Sequence, residues 1–421
     1  MDKFIINGGK KLSGNVKVSG SKNSSLALMP ASILASGKSV LKNTPELNDV
    51  FTMSKLLKHL GAKINFNNEL LEIDSSGINE LTAPYEHVKK MRASIYVLGP
   101  LLARFGRAKV SLPGGCAWGP RPVNLHLEAM KKLGAEIDLK DGYIVAKTKG
   151  LKGTKINFDV SSVGATGNAI MAASLAKGTT IINNAAIEPE ITQLAEFLNK
   201  MGAKISGVGT NKIEIEGVKD LMPAEIVTIP DRIETGSLLT AAAITQSNIT
   251  LNQTSGEYLE AVLLKLEDCG CKIKKEANQI SIDCRGVTLN PISITTSIFP
   301  GFPTDMQAQW IALMSVIEGV STVTDTIYFD RFKHVPELNR LGAQIVLDQN
   351  TAVVTGVKKL KGAKVMSTDL RASACLVLAG LIAEGTTEVL RVYHLDRGYQ
   401  RIEEKLNTLG ADIQRVESKD Y

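Results

Sequence analysis

The chain has 421 residues, 44% hydrophobic and 22% charged, with 49 Lys and Arg against 43 Asp and Glu for a net charge of +6. That is the composition of a globular protein too long for one ordinary core, and so small a charge, without any dense basic run interleaved with aromatics, excludes a nucleic-acid binder while leaving small anionic substrates open. Apolar runs are broken by Ser, Thr, Gly or a charge within about 15 residues, short of the ~20 needed to cross a bilayer, so no membrane association is expected.

Residues 1–20, MDKFIINGGKKLSGNVKVSG, alternate apolar and polar around Gly turns and read as a strand pair. They lack the apolar run and cleavage site of a signal peptide, which predicts a cytoplasmic location. Lys22 and Asn23 then open an apolar helix that Ser21 or Ser24 can cap, a role open to Asn23 as well. A cation at a helix N-terminus opposes the macrodipole unless an anion lies between them, so Lys22 points to an anion site, with solvated surface charge as the plain alternative. Gly37-Lys38-Ser39 resembles the end of a phosphate-binding loop, but it closes a helix where that motif opens one, and reads as a C-cap.

Arg92 stands at the start of the next apolar stretch, as Arg232, Asp305 and Arg371 do at later ones. Residues 111–130, SLPGGCAWGPRPVNLHLEAM, hold too many Pro and Gly for a regular element, which places Cys116 in a loop. A lone Cys is commonly a small buried hydrophobe. In a glycine-rich loop with Arg121 five positions on, a reactive thiol is equally open: a guanidinium favours the thiolate, and such a loop can close over a ligand. Cys269, Cys271 and Cys284 have neither a His nor a second Cys pair at zinc spacing, and an odd total of five Cys with no disulfide-framework spacing fits a reducing compartment. Asp305, in the Pro/Gly-rich FPGFPTDMQAQW, is either an N-cap or a carboxylate held ionised among arginines. Arg331 and Arg397 occupy matching places before the last two amphipathic helices.

One phrase recurs through all of this: HLGAKI at 59–64, KLGAEI at 132–137, KMGAKI at 200–205, DCGCKI at 268–273, RLGAQI at 340–345 and TLGADI at 408–413. Its glycines stand 73, 68, 68, 72 and 68 residues apart, a period that means internal duplication. Each copy reads as strand, apolar helix, strand, amphipathic helix, a Gly stop and two short strands, and the apolar helices, lacking a polar face, should be buried on all sides.

VSGSKNSSLALMPA, LPGGCAWGPRPVNLHL, SVGATGNAIMAA, FPTDMQAQ, DLRASACLVLAG and HLDRGYQRIEEKL, set on these six copies, resemble the UDP-N-acetylglucosamine 1-carboxyvinyltransferase family of enolpyruvyl transferases over essentially the whole chain. The resemblance implies an α/β fold of two inside-out barrel domains, each of three βαβαββ repeats with buried helices, one holding residues 21–229 and the other 1–20 plus 230–421, with helix N-termini facing a cleft. It implies transfer of the enolpyruvyl group of phosphoenolpyruvate to the 3′-hydroxyl of UDP-N-acetylglucosamine with release of phosphate, and no metal or organic cofactor. By motif match Cys116 is the general acid, open to a thioether adduct, and Asp305 takes the hydroxyl proton. Lys22, Asn23, Arg121 and Arg397 hold phosphoenolpyruvate. Arg92, Arg121, Pro122, Val123, Asn124, Leu125, Ser162, Val163, Gly164, Asp305 and Ile327 hold the nucleotide sugar, with the free amides at Gly164 suited to the diphosphate. Arg331, Asp369 and Arg371 support the site. Trp118 and Pro120 depart from the family's usual loop, which bears on how fast it closes, since the thiol and guanidinium keep their spacing. A sugar-binding paralogue without turnover and an enolpyruvylshikimate phosphate synthase-like transferase are the competing readings. An RNA-end cyclase on a related unit is disfavoured by the missing basic stripe.

Overall fold

The computed structural model describes residues 2–89, 91–112 and 123–417. Cys116, Trp118, Pro120, Arg121 and Pro122 lie outside the described residues.

The third copy shows the repeat complete: strand Lys155–Asn157, core helix Val163–Ala173, strand Thr179–Asn183, amphipathic helix Pro189–Lys200, then strands Lys204–Ser206 and Lys212–Glu216. The first two strands pair in parallel, and the others add antiparallel to give a four-stranded sheet. Among the described residues there are six such sheets, each separate, with no hydrogen-bonded closure into a barrel. The glycines of the recurrent phrase, 61, 134, 202, 270, 342 and 410, all have φ between +92° and +111°. A side chain is strained in that region, which explains why Gly recurs at this stop. A further device in three copies is an Asn clamp from helix end to strand. Asn199 bonds both N and O of Ile205 (2.9 and 3.0 Å), and Asn339 and Asn407 do the same for Ile345 and Ile413.

The apolar helices are buried all round. In Arg232–Ile244 every residue from Ile233 onward is buried, as are all of Gln307–Met314. Hydroxyls in the first of these are satisfied by the preceding turn, Ser237 donating to Ile233 O at 2.8 Å and Thr240 to Gly236 O at 2.8 Å, so both are buried without an unmet bond. Each Leu or Ile they enclose contributes roughly 1.5–3 kcal/mol through removal from water.

The chain divides into two compact units, Met1–Ser19 with Pro230–Tyr421, and Gly20–Ile229. Strand Ser13–Lys17, which directly precedes the first core helix in sequence, pairs in parallel with Asn248–Asn252 in the fourth copy. Its place beside Lys38–Lys42 is taken by Glu225–Val227. Asp2–Asn7 lies between Thr386–Leu390 and Ile413–Glu417, antiparallel to both. Where the chain passes from one unit to the other, Asp231 N bonds Ser19 O at 2.9 Å, and Ser21 N bonds Ile229 O at 2.7 Å. Among the described residues no helix is long and apolar enough to cross a membrane.

Candidate active site

In the unit Gly20–Ile229, Lys22 is the first residue of core helix Lys22–Ala31, capped by Ser21, whose side chain accepts from Ser24 N at 3.2 Å. Capping therefore falls to Ser21. The Lys22 ammonium lies 3.0 Å from Asp49 Oδ2, with side chains 13% and 5% exposed. Asp49 sits in the first turn of the next helix, Asn48–His59, where its charge also suits the dipole. The anion that the macrodipole argument requires near Lys22 is thus supplied by the chain itself. Gln193 steadies this corner: its Oε1 accepts from the Ser24 hydroxyl and from Ile229 N (3.1 Å), and its Nε2 donates to Val227 O at 2.8 Å.

Arg92 begins the 3-10 turn Arg92–Val97 that leads into core helix Leu98–Phe105. Nearby is His126 of helix Asn124–Lys132, buried with its Nδ1 3.0 Å from Asn168 Nδ2. Asn168 in turn donates to Ile95 O (2.9 Å) and accepts from Gly99 N (2.8 Å), tying three elements together. Burial, then the Arg92 charge, push the His126 imidazole down to about 3, so it is neutral. Its ring lies against the start of helix Val163–Ala173: a Cβ on Gly164 would meet His126 Cε1 and Nε2 at 3.0 Å, so glycine lets the ring pack closely there. Ser162 caps that helix through Ala165 N at 3.3 Å, and its first turn holds no acidic residue.

In the other unit Asp305 lies in the 3-10 turn Thr304–Met306 before core helix Gln307–Met314, and its side chain does not cap the helix. It takes two arginines instead. Arg331 Nη2 approaches Oδ1 at 2.6 Å and Arg371 Nη2 donates to Oδ2 at 2.8 Å. The arginine side chains are 8% and 6% exposed and the carboxylate 26%, so the anion keeps an open face while its partners do not. Burial would push this carboxyl up, but Arg371 and then Arg331 outweigh it and hold Asp305 well below the usual carboxylate range.

A supporting shell fixes this triad. Arg331 Nη1 donates to Thr304 Oγ1 at 2.9 Å, and Thr304 donates to Asp325 Oδ2 at 2.6 Å. Asp325 Oδ1 accepts from Thr296 Oγ1, Ile327 N and Tyr328 N, each at 2.9 Å, so one buried carboxylate sets both Thr304 and the Ile327 backbone. The Arg371 guanidinium stands 5.5 Å over the Tyr399 ring. Gln309 Nε2 donates to Asp305 O at 3.0 Å and to Tyr399 OH at 3.1 Å. Asp369 caps core helix Leu370–Gly380 through Arg371 N (2.9 Å) and Ala372 N (3.2 Å). Arg397 ends the 3-10 turn Val392–Arg397, which packs on that helix; burial, then its charge, lower the His394 pKa, while Asp369 opposes them.

Comparison with known proteins decides the family. The EPSP synthase (3-phosphoshikimate 1-carboxyvinyltransferase) family model matches residues 6–406. A UDP-N-acetylglucosamine 1-carboxyvinyltransferase from Chloroherpeton thalassium is 62% identical over 418 residues, 99% of this chain and 97% of that one. Its counterpart from Chlorobium limicola is 56% identical, with both chains covered completely. The chain belongs to the UDP-N-acetylglucosamine 1-carboxyvinyltransferase family. Among solved structures, the enolpyruvyl transferase NikO from Streptomyces tendae superposes with a TM-score of 0.91 at 25% identity, each chain covered to 99%. An EPSP synthase from Acinetobacter baumannii, at 17% identity and a TM-score of 0.77, shares the fold.

For a member of this family, two groups of the motif-matched residues are brought together by the structure. Asp305, Arg331 and Arg371, with Asp369 at the same helix start, form one. The other sets Arg92 and Gly164 around His126, with Asn124 and Leu125 on the His126 helix and Val123 at its cap. Cys116, Arg121 and Pro122 lie outside the described residues. Sequence reasoning missed Asp49, His126, Gln193 and Asp325. A signal existed for one: His126 stands eight residues before Gly134, as His334 stands eight before Gly342. His334 too is buried and pushed down to about 3, by burial and then by Arg331. Among the described residues no group of three or more His, Cys, Asp or Glu could hold a metal ion.

Proposed function

We propose that this chain transfers the enolpyruvyl group of phosphoenolpyruvate to the 3′-hydroxyl of UDP-N-acetylglucosamine, releasing phosphate by addition and then elimination, as the first committed step of peptidoglycan synthesis. Full-length identity of 62% to a curated 1-carboxyvinyltransferase carries this reading. The clamped Asp305 supports it. Addition needs a proton delivered to the methylene carbon and a base for the sugar hydroxyl, because an enol ether carbon is a poor electrophile until protonated. Cys116 is assigned the acid role by motif.

Asp305 is assigned the base role, and its two arginines make that role specific. They keep the carboxylate ionised but weaken it as a base, so it accepts the hydroxyl proton only as the new C–O bond forms. Lys22, Asn23, Arg121 and Arg397 are assigned to the phosphate and carboxylate of phosphoenolpyruvate, where guanidinium forks suit bidentate oxyanions. Arg92, the residues 121–125 and Ile327 are assigned to the nucleotide sugar, along with the 162–164 turn. There the Ser162 cap takes only Ala165 N, leaving the amides of Val163 and Gly164 for the diphosphate. The reading invokes small-molecule substrates and neither nucleic acid nor membrane.

The test is phosphate release from phosphoenolpyruvate with each candidate acceptor. Release with UDP-N-acetylglucosamine, lost in Cys116→Ala and in Asp305→Ala, is the expected result. Release only with shikimate 3-phosphate, or tight sugar binding with no turnover, overturns it.

A further inference from the structure

One copy of the repeated phrase departs from the others in a way the proposed reaction does not use. Where the other copies read Leu-Gly-Ala or Met-Gly-Ala, the fourth reads Cys269-Gly270-Cys271. In the hairpin that follows, Lys272 faces Asp283, so Cys271 and Cys284 oppose each other one step beyond the ladder. Equivalent ladders in four other copies place Ala62 opposite Ser75, Ala135 opposite Thr148, Ala203 opposite Gly217 and Ala343 opposite Gly356. The position is always small, and in the fourth copy both sides are thiols.

Their geometry is that of partners. Cys271 N bonds Leu266 O and Cys284 N bonds Ser247 O, so the two residues share no backbone bond across the hairpin. Such non-hydrogen-bonded pairs bring side chains closest, with Cα atoms about 4.5 Å apart, inside the ~4.4–6.8 Å range that a disulfide spans. The two Sγ atoms lie 2.7 Å apart, and both residues are buried, at 4% and 0% exposure. Cys269 points elsewhere, its Sγ on Asn290 O at 3.2 Å.

We propose that Cys271 and Cys284 form a reversible disulfide that staples the end of helix Glu260–Asp268 to the end of strand Gln279–Asp283. The oxidant is a small diffusible disulfide. Cys271, the more accessible of the two, attacks it as thiolate, forming a mixed disulfide and expelling one thiolate. Cys284 then attacks the Cys271 sulfur, the Cys271–Cys284 bond forms, and the second thiolate leaves. Two protein thiols lose two protons and two electrons, and the oxidant becomes two thiols. Contact with Cys284 and burial push the Cys271 thiol up, which makes the reaction slow in the folded protein.

The experiment uses the full chain, fully reduced and then incubated with oxidised glutathione. Remaining thiols are alkylated under denaturing conditions, the protein is peptide-mapped, and a parallel sample is melted. The expected result is a peptide linked through Cys271 and Cys284 and a higher unfolding midpoint that dithiothreitol reverses. Both should be absent in Cys271→Ala, which restores the residue of the sibling copies, and in Cys284→Ser. Glutathione left on Cys271, a bridge through Cys269, uniformly alkylated thiols, or a linked peptide without a change in midpoint would each overturn the proposal.

Discussion

The two units build the same repeat but start their core helices differently. In Gly20–Ile229 the caps are hydroxyls, Ser21 and Ser162, and neither helix has an acidic residue in its first turn. In the other unit the caps are carboxylates, Asp231 and Asp369, each accepting two backbone N–H bonds and each next to or near an arginine. A serine satisfies one amide and leaves the positive end of the dipole available, whereas an aspartate neutralises it. One duplicated scaffold therefore carries hydroxyl-capped helix starts in one unit, and in the other carboxylate caps beside an aspartate clamped by two arginines.

The largest test of that contrast removes the charge that the second unit organises. Asp305→Asn removes the carboxylate that the buried Arg331 and Arg371 share. It should lower stability by about 3–5 kcal/mol in denaturant titration, the usual cost of breaking one side of a buried pair. Turnover should fall by about 10²–10⁴-fold, the range of a lost general base. Unchanged turnover would remove Asp305 from the chemistry.

Acid should weaken both units through their matching histidines. His126 and His334 have folded-state values pushed down to about 3, below the ordinary value of 6.5. Between those limits the unfolded chain binds more protons, so stability is full above pH 6.5 and falls as pH drops toward 3. The slope is about 1.4 kcal/mol per pH unit for each histidine. Asp305 adds a loss only below about pH 3.8, where the unfolded carboxyl binds protons that the folded one does not. His126→Gln or His334→Gln should each flatten the stability–pH curve measured by chemical denaturation. A curve indifferent to both would contradict neutral burial.

Exchanging the caps sharpens the comparison further. Ser162→Asp should leave stability equal or up to about 1 kcal/mol higher, because a carboxylate suits a helix N-terminus, while weakening UDP-N-acetylglucosamine binding. A mutant bound as tightly as the parent would show that the diphosphate lies elsewhere. The smallest effect is the plain loss of a cap. Asp231→Ala should cost about 1–2 kcal/mol and Ser162→Ala about 0.5–1 kcal/mol by thermal melting, and equal costs would erase the distinction drawn here.

Much of the scaffold was legible because it depends on local rules. The six phrase glycines needed positive φ, and the helices without a polar face had to be enclosed. What escaped was long-range. Nothing in VKVSG says that its strand pairs with Asn248–Asn252 in another copy, because parallel partners carry no turn between them. Lys22 was legible as a cation in an unfavourable place, but its partner Asp49 belongs to a different helix, so the argument for an external anion was incomplete. Asp305 read equally as a cap or a clamped base, since Arg331 lies beyond the next strand of its own copy and Arg371 comes from the following one. Asp325 was missed because an Asp after a strand reads as an ordinary turn, and only its four donors reveal it as the anchor of Thr304 and Ile327.

The strand Asp2–Asn7 carries a consequence for biosynthesis. It is an inner strand, and both neighbours come from the far end of the chain, the outer one reaching Glu417. At about 5–20 residues per second, the ribosome holds Asp2–Asn7 without its partners until Ile413–Glu417 has been made. Gly20–Ile229 can assemble in the meantime, since all three of its sheets draw on its own residues. The other unit closes last, when Asp2–Asn7 finds Thr386–Leu390 and Ile413–Glu417.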